Sequence, residues 1–277
     1  MNLRHLWFGL STVTGLGRRG FFIPYRYAES VAPRQSVYDA IAERFAACES
    51  EFSRTLETIE DVAAALIALN GPAPAPAPRW QQDWFPRADG AAAYALVRRH
   101  QPARIVEVGS GHSTRFLAQA IADGEFPCAF TAIDPAPRAA IDSLPIDVQR
   151  RTVQRVDTSV FAALVAGDVL FIDSSHIMMP GTDVDVLFNR VLPGLPAGVL
   201  VHIHDVFLPD DYPSTWQWRG YNEQLAVAAL LQGGRFSPMW SSRYVATRMQ
   251  DAVAASVLAR LPLPPGAFES SLWLRTE

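Results

Sequence analysis

The stretch RIVEVGSGHSTRF, residues 104–116, decides how this chain is read. A short apolar run closes on Glu107, Gly109 and Gly111 follow with one residue between them, and small polar residues then open a helical pattern. An apolar run bounded by glycines marks a buried strand, and the helical period after it completes a strand–turn–helix unit. Two glycines in such a turn let the backbone approach a ligand closely.

Outward from this turn the same alternation repeats. Strands are expected at residues 104–108, 129–133, 147–153, 169–172, 199–203, 236–240 and 271–274. Helical periods fall between them at 113–122, 184–191 and 222–231. Alternating strands and helices predict an α/β, Rossmann-like, mostly parallel sheet with helices on both faces. Ligands of such sheets sit beyond the carboxyl ends of the strands.

The turn narrows the ligand. The dinucleotide fingerprint needs a third glycine, and here that position holds Thr114. Asp134 closes the second strand in FTAIDP, where an acid accepts both ribose hydroxyls. An acid before the turn and no third glycine suit a cationic nucleoside without phosphates better than a pyrophosphate, and S-adenosylmethionine fits that description. EVGSG, AIDP and FIDSSH, in this order, resemble the motifs of class I S-adenosylmethionine-dependent methyltransferases over residues 80–274. Within that superfamily the run from FIDSSH to VHIHD resembles bacterial small-molecule O-methyltransferases, the macrocin O-methyltransferase-like and cephalosporin-hydroxylase-like group. The resemblance implies a seven-stranded sheet whose last strand is antiparallel. It also implies that Glu107, Gly109, Gly111 and Ser113 line the methionine side of the cofactor, that Asp134 holds the ribose, and that Asp157 lies near the adenine.

Acceptor chemistry is expected where the next two strands end. One delivers Asp173, Ser174, Ser175 and His176; its neighbour delivers His202, His204 and Asp205. Strand alternation puts His202 and His204 on one face. Two mechanisms stand side by side. In one, a divalent cation (Mg2+ or Mn2+) binds Asp173, His204 and Asp205 and acidifies the acceptor hydroxyl. In the other, no metal is needed and His176 or His204 is a general base, with Asp205 also among the catalytic residues. Asp183 and Asp185, after PGT, read as acids at a helix start that Thr182 or Asp183 caps. A loop rich in Pro, Trp and Tyr at 210–221, and Trp84–Arg87 upstream, are candidate walls of the acceptor pocket. The turn residue His112 is read as a spacer.

Composition bounds the rest. The chain has 277 residues, 49% of them hydrophobic, and a formal net charge of −4 with no basic block, which argues against a nucleic-acid binder. Cys48 and Cys128 form no metal or disulfide pattern, so a reduced, cytoplasmic setting is expected. Residues 6–17 are too short and too polar to span a bilayer. Residues 36–70 read as a helix with apolar residues at three- and four-residue steps, and GPAPAPAP reads as a polyproline-like linker. The expected organisation is therefore an N-terminal arm and helical extension at 1–70, a linker at 71–79, and a methyltransferase domain at 80–277. The extension offers a surface for a homo-oligomer. The expected substrate is a small molecule or sugar methylated on a hydroxyl, with no nucleic acid and no membrane span. The alternatives are a nicotinamide-dependent oxidoreductase and a non-catalytic scaffold. Against the first, the chain contains no lysine for a Tyr-x-x-x-Lys pair.

Overall fold

A computed structural model describes residues 3–31, 37–71 and 73–277. The chain divides into two compact units, Met1–Gln35 and Ser36–Glu277. In the first, helix α1 (Leu3–Val13) leaves Leu3, Leu6, Trp7, Leu10 and Val13 exposed.

The second unit is organised by a seven-stranded sheet in the order β3-β2-β1-β4-β5-β7-β6. Its strands are β1 (Arg104–Val108), β2 (Ala129–Ile133), β3 (Asp147–Gln149), β4 (Val169–Ile172), β5 (Leu200–Ile203), β6 (Phe236–Ser241) and β7 (Leu272–Thr276). Strand β7 is antiparallel to both of its neighbours, and the remaining pairs are parallel. The central strands VLFI and LVHI are buried at every position, as a parallel strand covered on both faces requires. Each strand expected from the sequence is present, with β3 ending four residues early.

The expected single helix at 36–70 is three: α2 (Asp39–Ala46), α3 (Glu49–Asp61) and α4 (Ala63–Ala68). The breaks at Cys48 and Val62 let each piece turn its own apolar residues inward: Ile41 and Phe45, then Phe52, Leu56 and Ile59, then Leu66. These residues belong to the same core as the sheet. The rings of Phe45 and Phe52 meet Tyr244, and Thr55 Oγ1 donates to the Met239 carbonyl at 2.8 Å. Trp80, beyond the Pro/Ala stretch, donates its indole N–H back to the Leu66 carbonyl at 3.2 Å. The helical extension is therefore part of the sheet unit. The break between units falls at 35/36, and the stretch 71–79 does not separate two bodies.

Helix α5 (Arg87–His100) is buried from Ala88 to Val97, and α6 (His112–Gly124) follows the glycine turn. Gly90 of α5 has its vacant Cβ position 2.9 Å from the Phe116 ring of α6, so two small-faced helices pack closely there. Further on come α7 (Ser159–Ala162), α8 (Asp183–Val186), α9 (Glu223–Gln232), α10 (Ser242–Arg248) and α11 (Gln250–Ala254).

Candidate active site

Register fixes the site. Ile133, Val108, Ile172 and Ile203 are successive partners across β2, β1, β4 and β5. The residues just after them, Asp134, Gly109, Asp173 and His204, therefore stand in one row at the carboxyl edge. Three backbone bonds extend the ladder into that row: Gly109 N–H donates to Ile133, Asp173 N–H to Val108 and His204 N–H to Ile172, each at 2.9 Å.

The turn after β1 is held from beneath. Glu107 is fully buried and accepts from Ser113 Oγ (2.6 Å) and Thr114 Oγ1 (2.7 Å). Thr114 Oγ1 in turn accepts from Gly111 N–H at 2.8 Å. Glu107 thus fastens the start of α6 to the end of β1. Burial pushes its pKa up to about 8, although both hydroxyls favour the charged form. Gly109 has φ +82°, and a Cβ there would lie 1.7 Å from the Asp173 carbonyl oxygen. The first and fourth strand ends meet too closely for any side chain. A Cβ at Gly111 meets nothing within 4 Å, so the second glycine faces open space. His112 is neutral, since burial lowers its pKa to about 4.

Asp134 accepts from Ser110 N–H (2.8 Å) and Oγ (3.1 Å) with one oxygen and from Ala136 N–H (2.7 Å) with the other. A carboxylate has about four acceptor sites, so capacity for a ribose hydroxyl remains. Asp157 is exposed and its Oδ1 accepts from Ser159 N–H at 2.9 Å, at the start of α7. As expected, Thr182 caps α8, accepting from Asp185 N–H. Asp183 instead holds the loop by accepting from Ser175 N–H at 2.9 Å.

The ends of β4 and β5 form one cluster. His176 Nε2 lies 3.3 Å from Asp173 Oδ1 and 3.4 Å from Asp205 Oδ2, while its Nδ1 donates to Glu223 Oε2 at 2.8 Å. His204 Nδ1 lies 3.4 Å from Asp173 Oδ1 and 3.6 Å from Asp205 Oδ1, and its Nε2 donates to Asp89 Oδ2 at 3.3 Å. Burial alone would strip protons from both rings, but carboxylates on both nitrogens prevail and raise both pKa values well above the usual histidine range. Asp173 shows the converse: burial opposes its charge, yet His204 and His176 hold its pKa well below the usual carboxylate range. Its side chain is 30% exposed, against 9% for Asp205, 1% for Glu223 and 0% for Asp89. His176 (φ 60°) and Asp205 (φ 55°) both adopt the left-handed backbone. The other two non-glycine residues that do so among the described residues, Gln101 and Glu125, end helices α5 and α6. Strain of about 1–3 kcal/mol per residue persists only where the surroundings enforce it, and it gathers at functional sites.

Two expectations bear on this cluster. Among the described residues, no group of three or more His, Cys, Asp or Glu is disposed to hold a metal ion. The expected Mg2+ or Mn2+ ligands Asp173, His204 and Asp205 are turned on one another, and both His204 nitrogens face carboxylates. The carboxylates on both nitrogens of His176 and His204 favour the charged form of each ring, which bears on the general-base reading. His202 lies outside the cluster's chemistry. It stacks on Phe171 at 3.6 Å, bonds Ser271 Oγ at 2.9 Å, and is kept neutral by burial.

Sequence reasoning missed Asp89 and Glu223. Asp89 lies in the first turn of α5, fully buried, and also accepts from the Ser270 (3.1 Å) and Ser271 (2.9 Å) backbone N–H groups. A lone acid in RADGAAAY, amid small apolar residues, was the available signal. Of the upstream wall, Phe85 packs 5.3 Å from the His204 ring, whereas Arg87 forms a paired contact with Glu269 at 2.8 Å.

Residues 106–206 match the family Methyltransf_24, described as a methyltransferase domain. No curated protein matches the sequence. Among solved structures, the SAH-bound Podospora anserina methyltransferase PaMTH1 aligns with 93% of this chain and 99% of its own, at 17% identity and TM-score 0.43. The plantazolicin methyltransferase BpumL, in complex with a triazolic desmethylPZN analog and SAH, aligns with 87% of this chain and 100% of its own, at 12% identity and TM-score 0.46. A Thermus thermophilus branched-chain polyamine synthase, bound to N4-aminopropylspermidine and 5'-methylthioadenosine, aligns with 91% of this chain and 69% of its own, at 12% identity and TM-score 0.42. The matched segment holds Glu107, both glycines, Asp134 and the cluster-bearing ends of β4 and β5. Residues 106–206 thus match a methyltransferase domain, and they lie on a seven-stranded sheet with one antiparallel strand.

Proposed function

We propose that the enzyme methylates a hydroxyl on a small molecule or sugar, with Asp173 as the group that receives the hydroxyl proton. The cofactor, when bound, supplies an electrophilic methyl group on a sulfonium. Asp134 would hold its ribose; Gly109, Gly111 and Ser113 would border its methionine portion, with Glu107 fixing the turn from below. Asp157 belongs to the same reading as an adenine-side residue.

The observation that carries the acceptor chemistry is the placement of Asp173. It is the most exposed carboxylate of the cluster, set between the His176 and His204 rings beside the Gly109 turn. An alcohol becomes strongly acidic as its oxygen gains a carbon, so even a carboxylate of low basicity takes its proton late in the transfer. His176 and His204 stay protonated and orient Asp173; Asp205 and the buried Glu223 and Asp89 orient the rings. This is general-base catalysis by a positioned carboxylate, an effect of about 10²–10⁴-fold.

A test is Asp173→Asn, assayed by transfer of labelled methyl from S-adenosylmethionine. Turnover should fall by about 10²–10⁴-fold while calorimetric affinity for S-adenosylhomocysteine stays within a few fold. Undiminished turnover would sink the assignment. A nicotinamide oxidoreductase finds no support, since the third fingerprint position is Thr114, whose hydroxyl is committed to Glu107. A cytoplasmic setting belongs to the same reading and is supported by two free cysteines. None of the described helices is long and apolar enough to cross a membrane. A homo-oligomer is also part of it, through the arm at 1–35 alone, because residues 36–70 are packed into the sheet unit.

A further inference from the structure

Arg219 ends the 3-10 turn Ser214–Arg219, in the aromatic loop after β5. Its guanidinium lies 3.9 Å from the Trp216 ring centroid and 5.4 Å from those of Trp218 and Tyr221. One nitrogen, Nη1, donates to the Tyr221 hydroxyl at 3.2 Å. The Nε–H is buried without a partner, and Arg219 forms no ion pair among the described residues. Arg87 pairs with Glu269, Arg243 and Arg248 with Asp210, and Arg260 with Glu60, whereas Arg44 shares with Arg219 a buried Nε that has no partner.

This cation is attached to the cluster. The Tyr221 ring lies 4.6 Å from the His176 ring. Asn222 and Glu223 donate their backbone N–H groups to the His176 carbonyl at 3.1 and 3.3 Å. The guanidinium is thus no farther from the His176 ring than two short spans through Tyr221, 5.4 Å and 4.6 Å, laid end to end. That is the reach of one sugar or aromatic ring with a substituent.

A guanidinium over an indole face is a cation that can bind a planar oxyanion through two parallel hydrogen bonds. A buried N–H without a partner is costly, and a ligand oxygen would satisfy it. The carboxylates around His176 and His204 repel a second anion from the reacting end, so a negative group is admitted only where a positive one stands. We propose that Arg219 recognises an oxyanion, a carboxylate or a phosphate, on the acceptor, and that Trp216 and Tyr221 form the apolar wall on which the acceptor's ring lies. The enzyme then methylates an acidic small molecule, such as a uronic acid, a hydroxylated aromatic acid or a sugar phosphate. This substrate class rests on Asp173 marking the place of the acceptor hydroxyl.

The test uses the full chain saturated with S-adenosylhomocysteine. It is titrated calorimetrically with three matched pairs: galacturonate and galactose, 4-hydroxybenzoate and phenol, glucose 6-phosphate and glucose. At least one anion should bind tenfold or more tightly than its neutral partner. Arg219→Gln should erase that preference, a loss of about 10- to 100-fold, and Arg219→Lys should retain part of it. Which pairs respond separates carboxylate from phosphate recognition. The proposal is overturned if no pair shows the preference, or if Arg219→Gln keeps it while only its melting temperature falls, the mark of a purely structural arginine. Labelled methyl transfer is read separately. Anion preference without methylated product would count against the O-methylation reading and leave Arg219 in place; product without preference would do the reverse.

Discussion

The two glycines of the turn make opposite predictions from the same substitution. At Gly109 an added methyl sits 1.7 Å from the Asp173 carbonyl oxygen, on a backbone at φ +82°. The obstacle is main chain, so no side chain can swing aside. To reach even 3.0 Å the two strand ends must part by about 1.3 Å, which strains the Gly109–Ile133 and Asp173–Val108 hydrogen bonds. A left-handed alanine costs about 1–2 kcal/mol, and forced overpacking adds about 1–3 kcal/mol. Gly109→Ala should therefore lose about 2–5 kcal/mol, a fall in melting temperature of about 5–15 °C for a unit of this size. Gly111→Ala meets nothing within 4 Å, so its stability should change by less than about 0.5 kcal/mol. If its methyl projects toward the cofactor, affinity for S-adenosylhomocysteine should nevertheless drop tenfold or more. Scanning calorimetry and binding calorimetry on both variants separate the effects. A Gly109→Ala protein that melts like the wild type would refute the close approach of β1 and β4. A Gly111→Ala protein that binds normally would remove Gly111 from the cofactor site.

The remaining predictions concern buried charge. Burial raises the Glu107 pKa to about 8 from its ordinary 4.5, so the folded state holds the proton more tightly and stability declines as pH rises through that window. Glu107→Gln should flatten that decline, seen as a shallower loss of melting temperature between pH 5 and 8; an unchanged slope would refute the shift. His204 is displaced the other way from charge loss: its imidazolium contributes fully below pH about 6.5 and is lost as pH rises through its raised value. Asp89→Asn removes one of the carboxylates that hold it charged, so that loss should be complete at lower pH, with about 3–5 kcal/mol lower stability near neutrality; a pH profile of melting identical to the wild type would refute it. Finally, activity should survive exhaustive dialysis against a chelator, because both nitrogens of His176 and His204 already face carboxylates. Loss of activity that Mg2+ or Mn2+ restores would overturn that.

Much of the fold was legible because its signals are local. The runs at 169–172 and 200–203 are apolar enough to be recognised as strands covered on both faces, and the glycines mark the turn wherever the strand lies in the sheet. The division of residues 36–70 into three helices was not legible. A continuous amphipathic period predicts one straight helix, and the breaks at Cys48 and Val62 exist because separate pieces reach separate parts of the core. The Pro/Ala stretch misled for a related reason: composition says that it forms no core of its own, but not whether its neighbours pack together across it.

The site divides along the same line. Asp134, Asp173, His204 and Asp205 were found because a parallel sheet delivers its strand ends to one edge, and a strand end is visible in sequence. Asp89 and Glu223 were missed because helices α5 and α9 bring them to that edge through tertiary packing alone. Their absence from the reading changed the chemistry inferred. With Asp173 and Asp205 alone, each histidine keeps one nitrogen free and reads as a base or a metal ligand. Once Asp89 faces His204 and Glu223 faces His176, the second nitrogen of each ring is occupied, which favours the charged form of both. In the proposed mechanism, proton acceptance then falls to the one cluster carboxylate with substantial exposure, Asp173. Two buried acids on helices thus move the proposed base from imidazole to carboxylate without contributing a group at the strand edge itself.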